Sequence, residues 1–133
     1  MTGIANIRRL HEAGARFGCG NDGGIPFAFP GALALELALL ETIGFTAPEL
    51  LRMATQDNAR LLGLDHRLGT IAAGKVADLV AFDLNPLESA QHLARPGLVV
   101  KAGRIVFHDG RLAGFTGLEG SHGSSPQSPS SEA

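Results

Sequence analysis

The sequence predicts an α/β chain, with helices gathered in its first half and short strands in its second. Two observations carry this. Up to Leu62 apolar residues recur at the three- and four-residue spacing of a helix face, whereas beyond Leu68 β-prone runs alternate with turn residues. With 133 residues, 44% hydrophobic and 18% charged, the chain has material for one modest domain, and it shows no fixed-period repeat.

Ile4, Ile7, Leu10 and His11 share one helix face, and Gly14 supplies the stop. Arg16 to Gly20 predicts a strand that ends in the tight turn Asn21-Asp22-Gly23-Gly24, dense in residues that tolerate positive φ. Pro26 and Pro30 keep the next loop non-helical, and a helix follows from Ala32 to Ile43, closed by Gly44. That helix is apolar nearly all round, so it expects neighbours on more than one side. Thr46-Ala47-Pro48-Glu49 fits a capping box and opens a second helix through Leu50, Leu51 and Met53. Asp57 caps a further turn through Ala59, Leu61 and Leu62, ended by Gly63, which makes three helices between Ala32 and Leu62.

Strands are then predicted at Thr70-Ile71, Ala77 to Asp83, Leu98 to Lys101 and Arg104 to His108. The separators are Ala73-Gly74-Lys75, Asn85-Pro86, Ala102-Gly103 and Asp109-Gly110, and Val99 to Val106 is the clearest hairpin. Thr116 to Ala133 is almost entirely Gly, Ser, Pro, Thr, Gln and Glu, too poor in apolar surface to offset its ordering entropy, and a disordered tail is expected there.

Eleven Lys and Arg stand against 13 Asp and Glu, a formal charge of −2 with no basic stripe, which argues against a nucleic-acid partner. A single cysteine closes no intrachain disulfide and forms no CxxC pair; it favours a reducing compartment, so the expected location is the cytoplasm. No export signal is visible at the N-terminus. The apolar run from Ala32 to Ile43 carries Glu36 and Glu41 and falls far short of the roughly 20 residues of a membrane span.

Asp22 is the strongest candidate for chemistry. It stands where the short strand Phe17-Gly18-Cys19-Gly20 gives way to a glycine-rich loop before a helix, the strand edge at which α/β folds place catalytic side chains. Asn-Asp-Gly-Gly is equally good turn chemistry, so the spacing alone leaves both readings open. Asp78, at a strand entrance, reads as a cap on the backbone of the preceding Ala73-Gly74-Lys75 turn. Lys75 lacks the GxxxxGK[ST] context of a phosphate loop. His11, His66, His92, His108 and His122 are scattered without HxH or HExxH spacing, and each reads as a surface or satisfied core histidine. Cys19 has no base nearby in sequence and reads as buried and inert, and Gly23-Gly24 lacks the full GxGxxG spacing for an anion cradle.

The order of motifs carries more. Ile7 to Gly14, Gly18-Cys19-Gly20-Asn21-Asp22-Gly23-Gly24, Leu35-Glu36-Leu37, Gly44-Phe45-Thr46, Ala54-Thr55, Asn58-Ala59-Arg60 and Leu62-Gly63-Leu64 run colinearly into a second set. That set is Leu68-Gly69-Thr70-Ile71, Ala73-Gly74-Lys75, Ala77-Asp78-Leu79-Val80, Asn85-Pro86-Leu87 and Val99 to Val106. The series resembles the C-terminal end of the metal-dependent amidohydrolases, most of all the imidazolonepropionase-like branch.

The resemblance implies a (β/α)8 barrel with a small β-sandwich built from both chain ends. Residues 1–67 would be the end of the barrel, Arg16 to Gly20 its eighth strand, 68–115 the C-terminal part of the sandwich and 116–133 the tail. Asp22 falls on the family's strand-8 aspartate, which contacts the metal, takes a proton from the attacking water and returns it to the leaving nitrogen. Asn21 departs from the Thr or Ser common before that aspartate. A divalent metal, zinc, and a small amide or cyclic amide substrate are implied. A barrel needs about 250 residues, so the HxH, the bridging lysine and the later histidines of the family would lie before Met1, and Asp22 alone cannot hold a catalytic metal. The expectation is the C-terminal part of a hydrolase, inactive as this isolated chain, which is marginally stable, self-associating as a homo-oligomer, or a fragment of a longer product. The alternative is a non-catalytic remnant that folds by oligomerising or binding a partner. A free-standing small hydrolase pairing Asp22 with a histidine is the third reading.

Overall fold

The computed structural model describes residues 3–24 and 31–113. Their order is α1 (Gly3–Glu12), α2 (Leu33–Thr42), α3 (Ala47–Arg52), a π-helical turn (Met53–Asp57), α4 (Asn58–Leu61), β1 (Leu79–Phe82), a 3-10 turn (Ala90–Ala94), β2 (Pro96–Lys101), β3 (Arg104–His108) and β4 (Arg111–Leu112). The predicted loop at Pro26 and Pro30 and the predicted tail lie outside the described residues.

Helix ends follow the local chemistry. Gly14 takes φ 75° beyond α1, which lets Ala15 N–H reach the Leu10 carbonyl and Gly14 N–H reach that of His11. Gly44 and Gly63 close α2 and α4 in the same six-to-one geometry. At Thr46 the capping box is complete: the Glu49 N–H donates to the threonine hydroxyl, and the Glu49 carboxylate accepts from the Thr46 N–H at 2.8 Å.

Two of the three helices expected after Ala32 are one. Asp57 caps nothing; it sits in helical backbone inside the π turn that joins α3 to α4 and pairs with Arg52 and Arg60, each at 3.1 Å. The Thr55 hydroxyl donates to the Leu51 carbonyl at 2.7 Å within this turn, a side chain entering the backbone ladder where the helix changes pitch.

Leu37, Phe45, Leu50, Met53 and Ala90 form the buried core, with Ile7, Phe17, Leu40 and Leu93 packed around it. Glu41 ties the second half to it, accepting from Ser89 Oγ at 3.0 Å and from Ala90 N–H at 3.1 Å at the start of the 3-10 turn. The neighbours that α2 demands are supplied on one side only: Leu37 is buried, whereas Leu35 and Leu39 remain 63% and 59% exposed.

The sheet is an antiparallel meander in the order β1-β2-β3-β4. The predicted hairpin forms with Lys101 opposite Arg104, and both of its turn residues, Ala102 and Gly103, take positive φ, as a two-residue turn between twisted strands requires. Asp109 and Gly110 repeat this between β3 and β4. Thr70-Ile71 is not a strand. Lys75 Nζ gathers that loop instead, donating to the Asp65 and Leu68 carbonyls and to Thr70 Oγ1. Gly69, at φ 85°, presses on the π turn so closely that a Cβ would lie 3.0 Å from the Thr55 carbonyl oxygen.

The strand expected at residues 16–20 is absent as well, because the segment has no ladder partner among the described residues. No helix of the described residues is long and apolar enough to cross a membrane.

Candidate functional site

Segment 16–20 leaves α1 and crosses the face of α2 and α4, and among the described residues it is side chains, not strands, that hold its backbone. The Asn58 amide accepts from Cys19 N–H at 3.0 Å and donates to the Cys19 carbonyl at 2.8 Å. Glu36 Oε1, from α2, accepts from Gly20 N–H at 3.3 Å. Gly18 permits this approach, since a Cβ there would meet Asn58 Oδ1 at 2.7 Å.

Two residues after Gly20 the chain turns through Asp22 at φ 45°, a left-handed backbone that aspartate tolerates better than most side chains. Asp22 is exposed and makes no hydrogen bond or ion pair with another described residue. Both sequence readings of Asn21-Asp22-Gly23-Gly24 are therefore physically compatible, a left-handed bend that also presents a carboxylate unpaired among the described residues. Cys19 is half-buried rather than buried; that desolvation, followed by the charge of Glu36, still pushes its thiol above the ordinary range, so it stays protonated and a poor nucleophile. Among the described residues Glu36 Oε2 is buried with no hydrogen-bond partner.

Asp78, His11 and His92 take structural roles. Asp78 caps a turn, but not the preceding one: it accepts from Ala102 N–H at 2.7 Å and from Lys101 Nζ, bracing the tip of the β2–β3 hairpin. Those two donors, Lys101 first, hold its carboxyl below the usual range. The reason is the fold, which brings the chain entering β1 against the hairpin tip, where Gly103 N–H also bonds to Ala77. His11 stacks on Phe45 with ring centroids 4.0 Å apart and meets Glu49 at 3.3 Å, while His92 Nδ1 contacts the Asn85 carbonyl at 2.7 Å. His122 lies outside the described residues.

Among the described residues no three His, Cys, Asp or Glu side chains converge on a point that could hold a metal ion. Asp22 offers one carboxylate, and by themselves these residues do not fit a catalytic metal centre. A groove of about 610 Å³ runs between the α3–α4 helix and the loop before β1, is lined mainly by apolar side chains such as Leu51, Leu68, Ile71 and Val80, and does not include Asp22.

Sequence reasoning did not single out Asn58 and Glu36 as a pair. The signal was present in part for Glu36, a charged residue among the apolar residues Leu33 to Leu40, but Asn58 stands among Thr55, Gln56, Asp57 and Arg60 and gives none.

A helical layer that presents an acidic turn beside a small antiparallel meander is the architecture at hand, and comparison with known proteins gives it a family. The Amidohydrolase family profile matches residues 1–106. An imidazolonepropionase from Geobacillus sp. (strain WCH70) is 36% identical over 119 residues, covering 84% of this chain and 27% of that protein. Among solved structures, a Xaa-Pro dipeptidase with methionine bound in its active site superposes with a TM-score of 0.70 at 30% identity, over 77% of this chain and 25% of that one. An adenosine deaminase from Xanthomonas campestris with bound zinc gives 0.64 at 25% identity, over 81% of this chain and 29% of that one. The chain belongs to the amidohydrolase family and spans about a quarter of the length of these relatives.

Proposed function

We propose that these residues are the C-terminal part of a metal-dependent amidohydrolase that hydrolyses carbon–nitrogen bonds in small amides or cyclic amides, and that they act only when joined to the remainder of a barrel. Residues 1–67 close that barrel and 68–115 complete its sandwich. Asp22 is the proton-transfer carboxylate, accepting a proton from the attacking water and delivering it to the leaving nitrogen. The observation that carries this reading is the placement of Asp22: exposed, unpaired among the described residues and held at the end of a backbone segment clamped from two helices. A zinc ion such as the deaminase structure contains would take its other ligands from outside these residues.

Leu35 and Leu39 favour a second reading, a non-catalytic module whose open helix face is covered by a partner or another copy. The two separate by the mass of the native product in its source cells. A product several-fold heavier than 13.8 kDa supports the enzyme, and one at 13.8 kDa supports the module. The heavier product is then assayed against imidazolone propionate, a Xaa-Pro dipeptide and adenosine. Asp22→Asn should lower kcat on the compound turned over by about a hundredfold or more, and unchanged turnover would remove Asp22 from the chemistry.

A further inference from the structure

We infer that Asn58 and Glu36 are positioning residues for Asp22, an inference that rests on the catalytic reading of that carboxylate. A catalytic side chain on a turn is only as well placed as the backbone leading into it, and misplacement by about 1 Å can cost a hundredfold in rate. Among the described residues the lead-in has no strand beside it. Instead, one primary amide engages both backbone groups of Cys19, at 3.0 and 2.8 Å, the exchange of N–H and C=O that a neighbouring strand would offer. The next amide, Gly20, is held from a different helix by Glu36. Pinned at 19 and 20, the chain has a single intervening residue in which to turn before Asp22.

The π turn explains why Asn58 can do this. Inserting one residue into a helix rotates everything after it by about 100°, so the turn at Met53–Asp57 sets the direction in which Asn58 leaves the helix. Gly18 completes the fit, because any side chain there would strike the Asn58 amide. Hydrogen bonding, the close approach and the local helix distortion thus all converge on one contact. A residue that merely filled space would need none of them.

The test uses the native product and the three compounds of the panel above. Asn58→Leu keeps the branched four-atom skeleton of the side chain and removes both bonds; it should speed amide hydrogen exchange at Cys19 and Gly20 at least about tenfold, leave Leu50 exchange unchanged, and lower kcat about tenfold with KM constant. Glu36→Leu should act in the same direction, and Glu36→Gln, which keeps an acceptor for Gly20, should restore kcat. Unchanged exchange at Cys19 and Gly20 in Asn58→Leu would overturn the clamp. Faster exchange with full kcat, where Asp22→Asn is inactive, would overturn positioning alone. Full activity in Asp22→Asn would instead overturn the catalytic reading and the positioning claim with it.

Discussion

The helical half and the sheet of this chain are held together differently. Every fully buried apolar residue described, from Leu37 and Phe45 through Leu50, Met53 and Ala59 to Ala90, lies in the helical layer or the 3-10 turn pinned to it. None belongs to β1–β4, where Val80 and Ile105 are half exposed. The helices carry their own core, whereas the sheet rests on its hydrogen-bonded ladders, two positive-φ turns and the Asp78 brace. A meander of this kind needs something against its face to gain hydrophobic stabilisation. It follows that packing should matter most in the first half and turn chemistry in the second.

The largest test of that contrast is truncation in the core. Leu50→Ala, at a side chain with no exposed surface, should cost about 2–5 kcal/mol by urea unfolding, and Val99→Ala in the half-buried β2 about 1 kcal/mol. Equal costs would show that the sheet is packed as tightly as the helices.

A smaller effect is expected at the cap of α3. The Thr46 N–H, and then its hydroxyl, hold the Glu49 carboxyl down to about 2 from an ordinary value of 4.5. Because the folded value is the lower one, this stabilisation is complete above the ordinary carboxylate range and is lost as pH falls from there towards 2. Thr46→Ala should cost about 1 kcal/mol at pH 7, and the gap from the unmodified chain should narrow across that acid window. A gap independent of pH would mean that the hydroxyl, unlike the backbone N–H that the substitution leaves in place, does not stabilise the carboxylate. Glu49 is exposed enough for solvent to screen it, so the pH-dependent share is the minor one.

The smallest change belongs to the sheet. Ala102 holds φ 48° in a turn that glycine adopts without strain, so Ala102→Gly should stabilise the hairpin by about 0.5 kcal/mol, read as a rise in Tm. A fall in Tm would show that the methyl group is packed rather than strained.

Local chemistry was legible in the residues themselves. The glycine stops at 14, 44 and 63, the Thr46–Glu49 box, and the hairpin turns at Ala102-Gly103 and Asp109-Gly110 depend on interactions spanning a few residues, and each stands where the sequence predicts it. The order of motifs was enough to indicate the family. Fusion of α3 with α4, the missing strand at 16–20 and the true partner of Asp78 were not legible in the same way. The fusion runs through a local π turn that the apolar periodicity does not mark, whereas the other two are decided by contacts distant in sequence, such as Asp78 with Ala102, Gly20 with Glu36 and Asn58 with Cys19, which no local pattern encodes. By itself the sequence determined where helices stop, where hairpins turn and which aspartate stands in a glycine-rich loop, because these are matters of backbone torsion and near-neighbour hydrogen bonds. Tertiary structure alone decided that an asparagine amide and a glutamate carboxylate hold the backbone leading to that aspartate, since only folding brings α2 and α4 against one short segment.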